Sequence, residues 1–335
     1  DHQHGRVLAA AVNLDMIAAV RVTDSGVIRI LSKGYPMSTV SLDALAPVAA
    51  EVNTTPALIR GVAARFVELG CPVRGFDAYM ESTVLPGSGL SSSAAFEVLL
   101  GRIGNALFAG NSLTAADIAR MGQWAENIYF GKPCGLMDQL ASSTGGLVFM
   151  DFRDPAAPLV RRLDAALPGY VLCVVDSGAD HAGLTEAYAA IPRELGAVCR
   201  LFGAEVLRQV EEAEFYRRLP EVRRAAGDRA VLRAIHFLGD NERVSRQVAA
   251  LNAGDFDEFK RLVVESGHSS FEYLQNVYAA CDVEFQGLSL ALALAQRALD
   301  GCGAWRVHGG GFGGTTQNFV PTGRLEAFRA LMEGV

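Results

Sequence analysis

The hydrophobic positions of this chain follow two different periods, and the period changes many times between its ends. Apolar residues at steps of three and four predict helices, whereas short apolar runs bounded by turn residues predict strands. Helices are predicted over residues 57–69, 94–109, 114–130, 139–143, 185–202 and 288–299, and over most of 205–265. Strands are predicted over residues 7–12, 16–22, 27–31, 76–84, 147–151, 170–175, 305–308 and 315–320. This mixture predicts an α+β or mixed α/β protein.

Residues at the ends of these elements indicate where the helices begin and end and which strands are adjacent. Gly70 follows the first helix and is a typical C-terminal stop. Thr114 can cap the helix over 114–130, and Asp117 completes a capping box in carboxylate form. The two strands that flank residues 23–26 are predicted to pair with each other.

Composition and charge narrow the class of protein. The 335 residues suffice for two domains with a large core. Half of the residues are hydrophobic and a fifth are charged, as in ordinary globular proteins. The net charge of -7 argues against a general nucleic-acid surface. No apolar run approaches the roughly 18 residues that a membrane-spanning helix needs. We therefore expect neither nucleic acid nor membrane as a partner, and a monomer, with a dimer possible.

The six cysteines stand singly, at positions 71, 134, 173, 199, 281 and 302. Without Cys-x-x-Cys pairs they indicate reduced thiols in a cytoplasmic protein. Cys134 is the exception to watch, because it lies in a loop rich in glycine and proline. The chain opens at Asp1 without a methionine and reads like a fragment whose upstream residues are missing.

A glycine-rich loop over residues 85–95 leads from the strand 76–84 into the helix 94–109. Gly87 and Gly89 allow a tight turn and close approach of the backbone to a ligand. The free N–H groups of the first helical turn favour an anion such as phosphate. The serines at 91–93 can cap the helix, bind phosphate oxygens or ligate a cation.

The loop matches neither common phosphate-binding motif. A Walker A loop requires a lysine that is absent, and the dinucleotide fingerprint requires a glycine where Ser92 stands. A capped turn between strand and helix, without any ligand, remains an alternative on local grounds.

Two carboxylates are candidates for chemistry, and each has an ordinary alternative. Glu126 lies near the end of the helix over 114–130, where a solvated surface position is the simpler interpretation. Asp138 follows the loop Gly131–Gly135 and can merely cap the helix over 139–143.

Five of the six residues over 309–314 are glycines, between two predicted strands. A tight hairpin turn accounts for such a segment, and close approach to a ligand or another loop also does. His2 and His4 would share one face of a strand, but without a further His or Cys cluster they do not indicate a metal site.

Three stretches in this order resemble the GHMP small-molecule kinases, and within that superfamily the galactokinase family. They are the opening Asp1–Gly5, the loop Gly-Ser-Gly-Leu-Ser-Ser-Ser-Ala and the late Gly-Gly-Gly-Phe-Gly-Gly. The triple serine at 91–93 is similar to the galactokinase form of the second motif. Pro133–Gln139 is similar to the galactokinase loop that carries its catalytic aspartate. The likeness covers nearly the whole chain.

The resemblance implies roles for individual residues. Asp138 would be the general base, or would orient the anomeric hydroxyl of a sugar. Ser93 and Glu126 would hold Mg²⁺. Contacts to the sugar would come from Asp1, Gly135, Asp138 and Tyr188. The phosphates of ATP would be bound by Gly87, Ser88, Gly89, Leu90, Ser91, Ser92 and Ser93, with Gly309, Gly310 and Gly311 closing the site beside them.

The implied fold is α+β with two domains and the active site in the cleft between them. Residues 1–165 would form an N-terminal GHMP kinase domain like domain 2 of ribosomal protein S5, and 166–335 a ferredoxin-like C-terminal domain. The implied activity is transfer of phosphate from ATP to the 1-hydroxyl of galactose. His2 stands where the family usually has tyrosine. Kinases of arabinose, galacturonate or N-acetylgalactosamine, and a non-catalytic sugar and nucleotide sensor, are the alternatives.

Overall fold

A computed structural model describes residues 1–84, 89–178, 184–280 and 283–334. Its helices are α1 Thr55–Glu68, α2 Ser92–Phe108, α3 Ala115–Ala125, α4 Met137–Thr144, α5 Thr185–Leu201, α6 Glu212–Arg217, α7 Leu219–Ala226, α8 Asp228–Ala253, α9 Phe256–Ser269, α10 Gly287–Leu299 and α11 Leu325–Glu333. Its strands are β1 Arg6–Ala10, β2 Met16–Thr23, β3 Val27–Ser32, β4 Ser38–Ser41, β5 Gly75–Ser82, β6 Leu147–Asp151, β7 Leu159–Leu163, β8 Tyr170–Asp176, β9 Ala304–Val307 and β10 Thr315–Pro321. Short 3₁₀ turns cover Ala49–Glu51, Leu207–Gln209 and Thr322–Arg324, and π-helical turns cover Glu126–Phe130 and Ser270–Leu274.

The chain divides into two compact units. One comprises most of the chain from Ala9 to Val148, and we call it the N-terminal unit. The other, the C-terminal unit, comprises Asp1–Leu8 and the chain from Phe149 onward, together with Gly89. The predicted domain boundary at residue 165 stays a prediction.

The core of the N-terminal unit lies between a four-stranded sheet and the helices α1 and α2. Along β3 and β5 the buried residues alternate with more exposed ones, because successive side chains of a strand point to opposite faces of the sheet. The buried face carries Ile28, Ile30, Val40, Phe76 and Met80, and the helices contribute Leu58, Ile59, Val62, Phe66, Phe96, Leu100 and Ile103. Burying each such side chain contributes roughly 1.5–3 kcal/mol, so this layer is the main stabilisation of the unit.

The predicted pairing of β2 with β3 is wrong. The strand order is β2-β5-β3-β4, with β5 antiparallel to β2 and parallel to β3. The connection between β2 and β3 therefore crosses the start of β5, at Gly75. A Cβ atom on Gly75 would lie 2.7 Å from the carbonyl oxygen of Val27, so only glycine fits beneath this crossing.

The predicted helix over 114–130 is α-helical only as far as Ala125. Its N-terminus has the expected capping box, in which Thr114 accepts from the Asp117 backbone and Asp117 accepts from the Thr114 backbone. Beyond Ala125 the chain forms the π-helical turn Glu126–Phe130. The wider turn changes which side chains face inward, so Glu126 is buried and Ile128 is 54% exposed.

The C-terminal unit contains the sheet β8-β10-β9, which is antiparallel throughout. The pairing of β9 with β10 confirms the predicted hairpin around the glycine segment. The sheet shares its core with α10, α11 and α9. A second hydrophobic cluster packs α5, α7 and α8 together. The helices α6 to α9 confirm the prediction that residues 205–265 are mostly helical.

A third sheet has the order β1-β6-β7. The strands β4 and β7 have no counterpart in the sequence prediction, since neither carries a long apolar run. Across the described ranges, no helix has the length and apolar character required to cross a membrane.

Candidate functional site

The first turn of α2 begins from a strained residue. Ser91, the residue before the helix, has a left-handed backbone with φ +58°, which is uncommon for a residue with a side chain. Its side chain does not cap the helix. Instead its hydroxyl donates a 2.6 Å hydrogen bond to Oδ2 of Asp138. Backbone strain of this kind is found at functional sites.

Asp138 lies in the first turn of α4, where Leu136 occupies the N-cap position. The carboxylate is thus inside the helix rather than capping it, which decides against the simpler local interpretation. Its side chain is half-buried and accepts a hydrogen bond from the hydroxyl of Ser91, whose own position is fixed at the start of α2. Asp138 is therefore placed to accept hydrogen bonds from hydroxyl groups.

Glu126 begins the π-helical turn and is 2% exposed. The interpretation of Glu126 as a solvated surface residue is therefore wrong. Ser93, two residues beyond Ser91, donates to Glu126 Oε1 at 3.1 Å. The ammonium group of Lys132 lies 3.8 Å from the same carboxylate oxygen. The N-terminus of α2 thus carries two hydrogen-bonded pairs, Ser91 with Asp138 and Ser93 with Glu126.

A second buried carboxyl group lies behind Glu126. Glu97 is fully buried on α2, and the amide nitrogen of Gln139 donates to Glu97 Oε2 and to Glu126 Oε2, each at 3.0 Å. Burial, followed by the charge of Glu126, raises the pKa of Glu97 to about 9. At neutral pH the buried Glu97 side chain therefore favours its neutral, protonated form.

The donor chemistry of Ser93 and Glu126 fits Mg²⁺. A hydroxyl and a carboxylate oxygen 3.1 Å apart can be shared by one cation, and Mg²⁺ in phosphate-binding sites takes few protein ligands and completes its shell with phosphate and water. No cluster of three or more His, Cys, Asp or Glu side chains suited to a metal ion occurs within the described ranges. A site of this composition would therefore need oxygen atoms from a bound phosphate.

Cys134 belongs to the loop before α4, and its environment makes the thiol unreactive. Burial and the nearby carboxylate of Glu126 both raise the pKa of Cys134. Its backbone N–H donates to Asn127 Oδ1 at 2.7 Å, which fixes the loop. Gly135 follows it as a half-buried loop residue directly before Leu136, the N-cap residue of α4. The thiolate needed for nucleophilic chemistry is thus strongly disfavoured here.

In the C-terminal unit, the glycine segment packs closely against two side chains. Gly311 has φ +78°, and a Cβ atom there would overlap the carbonyl oxygen of Asn276. The hydroxyl of Tyr188 donates to the Gly311 carbonyl at 2.5 Å, and its ring meets Phe312 edge-on at 5.1 Å. Asn276 donates to the Gly310 carbonyl at 3.1 Å. Close approach to protein groups, rather than turn geometry alone, thus explains these glycines.

The remaining predicted residues lie at several places. Asp1 opens a turn in which its carbonyl accepts from the His4 backbone at 2.7 Å. Gly309 has φ +63° and open space around its Cα. Gly89, which belongs to the C-terminal unit, lies near the hydroxyl of Thr315. Gly87 and Ser88 lie outside the described residues.

The structure brings Ser91 together with Asp138, Ser93 with Glu126, and Tyr188 with the glycine segment. Sequence reasoning assigned no role to Glu97, Gln139 or Asn276. A signal existed for Glu97, because a charged residue four positions after Ser93 lies on the same face of the helix. The roles of all these residues in binding and catalysis stay predictions.

Comparison with known proteins identifies relatives over the full chain. Residues 57–146 match the sequence family described as GHMP kinases N terminal domain. A galactokinase of Actinobacillus pleuropneumoniae is 30% identical over 338 residues, covering 99% of this chain and 84% of that protein. A galactokinase of Streptomyces coelicolor is 33% identical over 338 residues, with the same shares covered.

Solved structures agree on the fold. Lactococcus lactis galactokinase complexed with galactose superposes with a TM-score of 0.84 at 21% identity, covering 99% of this chain and 84% of that one. The predicted α+β fold of this superfamily is thereby confirmed. The finer description of the two predicted domains, and the location of the site between them, stay predictions.

Proposed function

Since this chain belongs to the galactokinase family of the GHMP kinases, we propose that it transfers the γ-phosphate of ATP to the 1-hydroxyl of galactose. The products are galactose 1-phosphate and ADP. The enzyme is a phosphotransferase with an alcohol group as acceptor, and it acts in galactose metabolism.

One observation supports this function more than any other. The first turn of α2 places a hydroxyl against each of two carboxylates, Ser91 against Asp138 and Ser93 against Glu126. Phosphoryl transfer requires an acceptor hydroxyl oriented by a base and negative charge neutralised nearby. A helix N-terminus favours phosphate for the same electrostatic reason. The two carboxylates thus have separate tasks beside one anion-binding turn.

Asp138 is the proposed general base. It accepts a hydrogen bond from the anomeric hydroxyl, orients that oxygen toward the phosphorus atom and takes its proton as the O–P bond forms. The hydroxyl of Ser91 holds the carboxylate from one side, which leaves the second carboxylate oxygen for the sugar. Positioning of this kind supplies a large part of the rate in reactions that need little covalent chemistry.

Ser93 and Glu126 are the residues that would hold Mg²⁺. The ion supplies charge neutralisation to the phosphates when it is bound with ATP. Glu126 contributes the negative charge and Ser93 a neutral oxygen, while the backbone of residues 87–93 contacts phosphate oxygens through its N–H groups. Gly309, Gly310 and Gly311 lie beside the phosphates in this proposal.

Asp1, Gly135 and Tyr188 are the proposed contacts to the sugar, together with Asp138. The Asp1 carboxylate and the Gly135 backbone offer acceptors and a donor to sugar hydroxyls. The Tyr188 hydroxyl already donates a hydrogen bond to the Gly311 carbonyl, so its oxygen would act toward the sugar as an acceptor. We further propose a cytoplasmic monomer. The free cysteines at 71, 134, 173, 199 and 302 are consistent with that location.

The experiment is an initial-rate assay of ADP release with full-length protein, ATP and Mg²⁺ over a panel of sugars. Galactose is expected to be turned over with the highest kcat/KM, and arabinose, galacturonate and N-acetylgalactosamine at least about 10-fold less well, because each loses or adds groups at the ring. A reaction without sugar measures background hydrolysis of ATP.

Two outcomes would overturn the proposal. A higher kcat/KM for one of the other sugars would make the protein a kinase of that sugar. Binding of sugar and ATP without turnover of any aldose would make it a non-catalytic sensor.

A further inference from the structure

The amide group of Gln139 bridges two buried carboxyl groups. Its side chain is 1% exposed, and its nitrogen donates to Oε2 of Glu126 and to Oε2 of Glu97. Both donor–acceptor distances are 3.0 Å. One NH₂ group has two protons, so both are used here. Turning the amide over would remove the Gln139 donor from both carboxyl groups and bring its carbonyl oxygen toward them.

With the Gln139 amide in this position, the two carboxylate oxygens of Glu126 contact different groups. Oε2 faces Gln139, whereas Oε1 accepts from Ser93 and faces Lys132. Without the amide, the carboxylate could rotate about its terminal torsion, which is broad for glutamate. Gln139 therefore holds Oε2, while Oε1 faces Ser93 at the N-terminus of α2.

The bridge also joins three elements that carry site residues. Gln139 follows Asp138 directly on α4, Glu97 lies one helical turn after Ser93 on α2, and Glu126 begins the π-helical turn. Glu97 is packed firmly in place, because a Cβ on Gly122 of α3 would lie 3.0 Å from its Cβ and its Oε2. Glu97 thus anchors the amide of Gln139, which in turn holds Glu126.

We propose that Gln139 is a positioning residue that holds Glu126 with Oε1 toward the Mg²⁺ of bound ATP, and that Glu97 fixes the orientation of its amide. The proposal rests on the function proposed above. It gives a function to Gln139 and Glu97, two buried polar side chains that take no direct part in phosphoryl transfer. Outer-shell partners of metal ligands change metal affinity or activity by about 10–100-fold when removed.

The test compares three substitutions. Gln139→Leu keeps the approximate volume and removes the bridge. Glu97→Gln keeps an acceptor for the Gln139 amide, and Glu97→Leu removes it. Gln123→Leu is the matched control, because Gln123 donates its amide to the carbonyl of Cys134 at 3.3 Å, in the same loop region. Thermal unfolding without ligand establishes that each variant is folded.

The first readout is Mn²⁺ binding in the presence of ATP, followed by electron paramagnetic resonance. Mn²⁺ affinity is expected to fall about 10–100-fold in Gln139→Leu and Glu97→Leu. Glu97→Gln and Gln123→Leu are expected to stay within about threefold of the parent. In the kinetic assay, the Mg²⁺ concentration for half-maximal rate should rise by a similar factor in the first two variants, with the KM for galactose within about twofold.

Unchanged Mn²⁺ affinity in folded Gln139→Leu would overturn the proposal. So would a loss in Glu97→Gln as large as in Glu97→Leu, or absence of Mn²⁺–ATP binding by the parent. If the parent binds Mn²⁺–ATP but turns over no sugar, the proposed function fails while the binding comparison still decides the role of Gln139.

Discussion

At the scale of single residues, the hydrogen bond from Ser91 to Asp138 limits how the proposed phosphate-binding loop can use the Ser91 hydroxyl. Ser91 offers one hydroxyl proton, and a hydroxyl has only one proton to give. When Ser91 donates to Asp138, it can meet a phosphate only as an acceptor, which is unfavourable. In the proposed reaction the phosphate is therefore bound through backbone N–H groups, while the Ser91 hydroxyl stays on Asp138.

Replacing Asp138 by alanine is expected to lower kcat by at least about 10²–10⁴-fold, because the acceptor hydroxyl loses its base and its orientation. The Kd for ATP, measured by calorimetry, should change by less than about threefold. Asp164→Ala, at an exposed position, serves as the control and should retain activity. Turnover by Asp138→Ala close to that of the parent would refute the role of Asp138 as base.

A site residue could be predicted from the sequence when it lies in a contiguous motif, and not when its position depends on packing between distant segments. The motifs around Ser93 and Asp138 are contiguous, so a resemblance can identify them. Glu126 was assigned to Mg²⁺ only through the family resemblance, and its helical position by itself indicated a solvated surface. Its burial follows from the π-helical turn, whose single extra residue leaves no periodic signal in the sequence. Asn276 contacts a segment over thirty residues later, and the sequence gives no sign of it.

At the scale of elements, both π-helical turns adjoin residues of interest. The first begins at Glu126. The second, Ser270–Leu274, ends two residues before Asn276, and Gln275 between them has a left-handed conformation. Such turns occur often at functional sites because they redirect side chains that a regular helix would bury or expose. Here they place Glu126 inside the N-terminal unit and Asn276 against the glycine segment.

Gly311→Ala tests the packing of that segment. The added Cβ would overlap the Asn276 carbonyl and require a left-handed backbone in alanine, so the free energy of unfolding should fall by about 2 kcal/mol or more. Gly323→Ala is the matched control, since nothing lies within 4 Å of its Cβ position. Denaturant titration compares the two, and equal stability would contradict the described packing.

The order of the strands could be predicted only in part. The runs that form β2, β3 and β5 were visible from their apolar residues. The pairing of these strands could not be predicted. Proximity in the sequence favours pairing β2 with β3, whereas β5 lies between them in the sheet. The connection between β2 and β3 can cross β5 because Gly75 has no side chain. A single glycine at the start of a strand does not by itself predict such a crossing.

At the scale of the whole molecule, stability should depend on pH through a buried histidine of the C-terminal unit. Burial lowers the pKa of His236 to about 4. It faces Asp240, whose Oδ2 lies 3.9 Å from Nε2, the guanidinium groups of Arg306 and Arg243, and the hydroxyl of Ser269. The neutral ring is thus favoured in the folded protein.

The sign of the effect follows from proton binding. Below the ordinary pKa of 6.5 the unfolded chain binds a proton at His236, while the folded protein does not until about pH 4. Stability is therefore lost as pH falls between these values, by up to about 1.4 kcal/mol per pH unit. His236→Gln should flatten this slope, whereas His268→Gln, at an exposed position, should not. An unchanged slope in His236→Gln would contradict the expectation.

The fold of the whole molecule was the most predictable level, because motifs spread from residue 1 to residue 314 occur together in one family. Full-length relatives at 30% and 33% identity and the TM-score of 0.84 confirm that inference. Strand order and the π-helical turns depend on packing between distant segments, which periodicity cannot report.

The most direct test of the proposed activity is the identity of its product. Full-length protein incubated with galactose, ATP and Mg²⁺ is followed by ³¹P nuclear magnetic resonance. We predict a phosphomonoester signal coupled to the anomeric proton, formed in equal amount with ADP. Phosphate on another carbon of the sugar, or release of inorganic phosphate without any sugar phosphate, would contradict it.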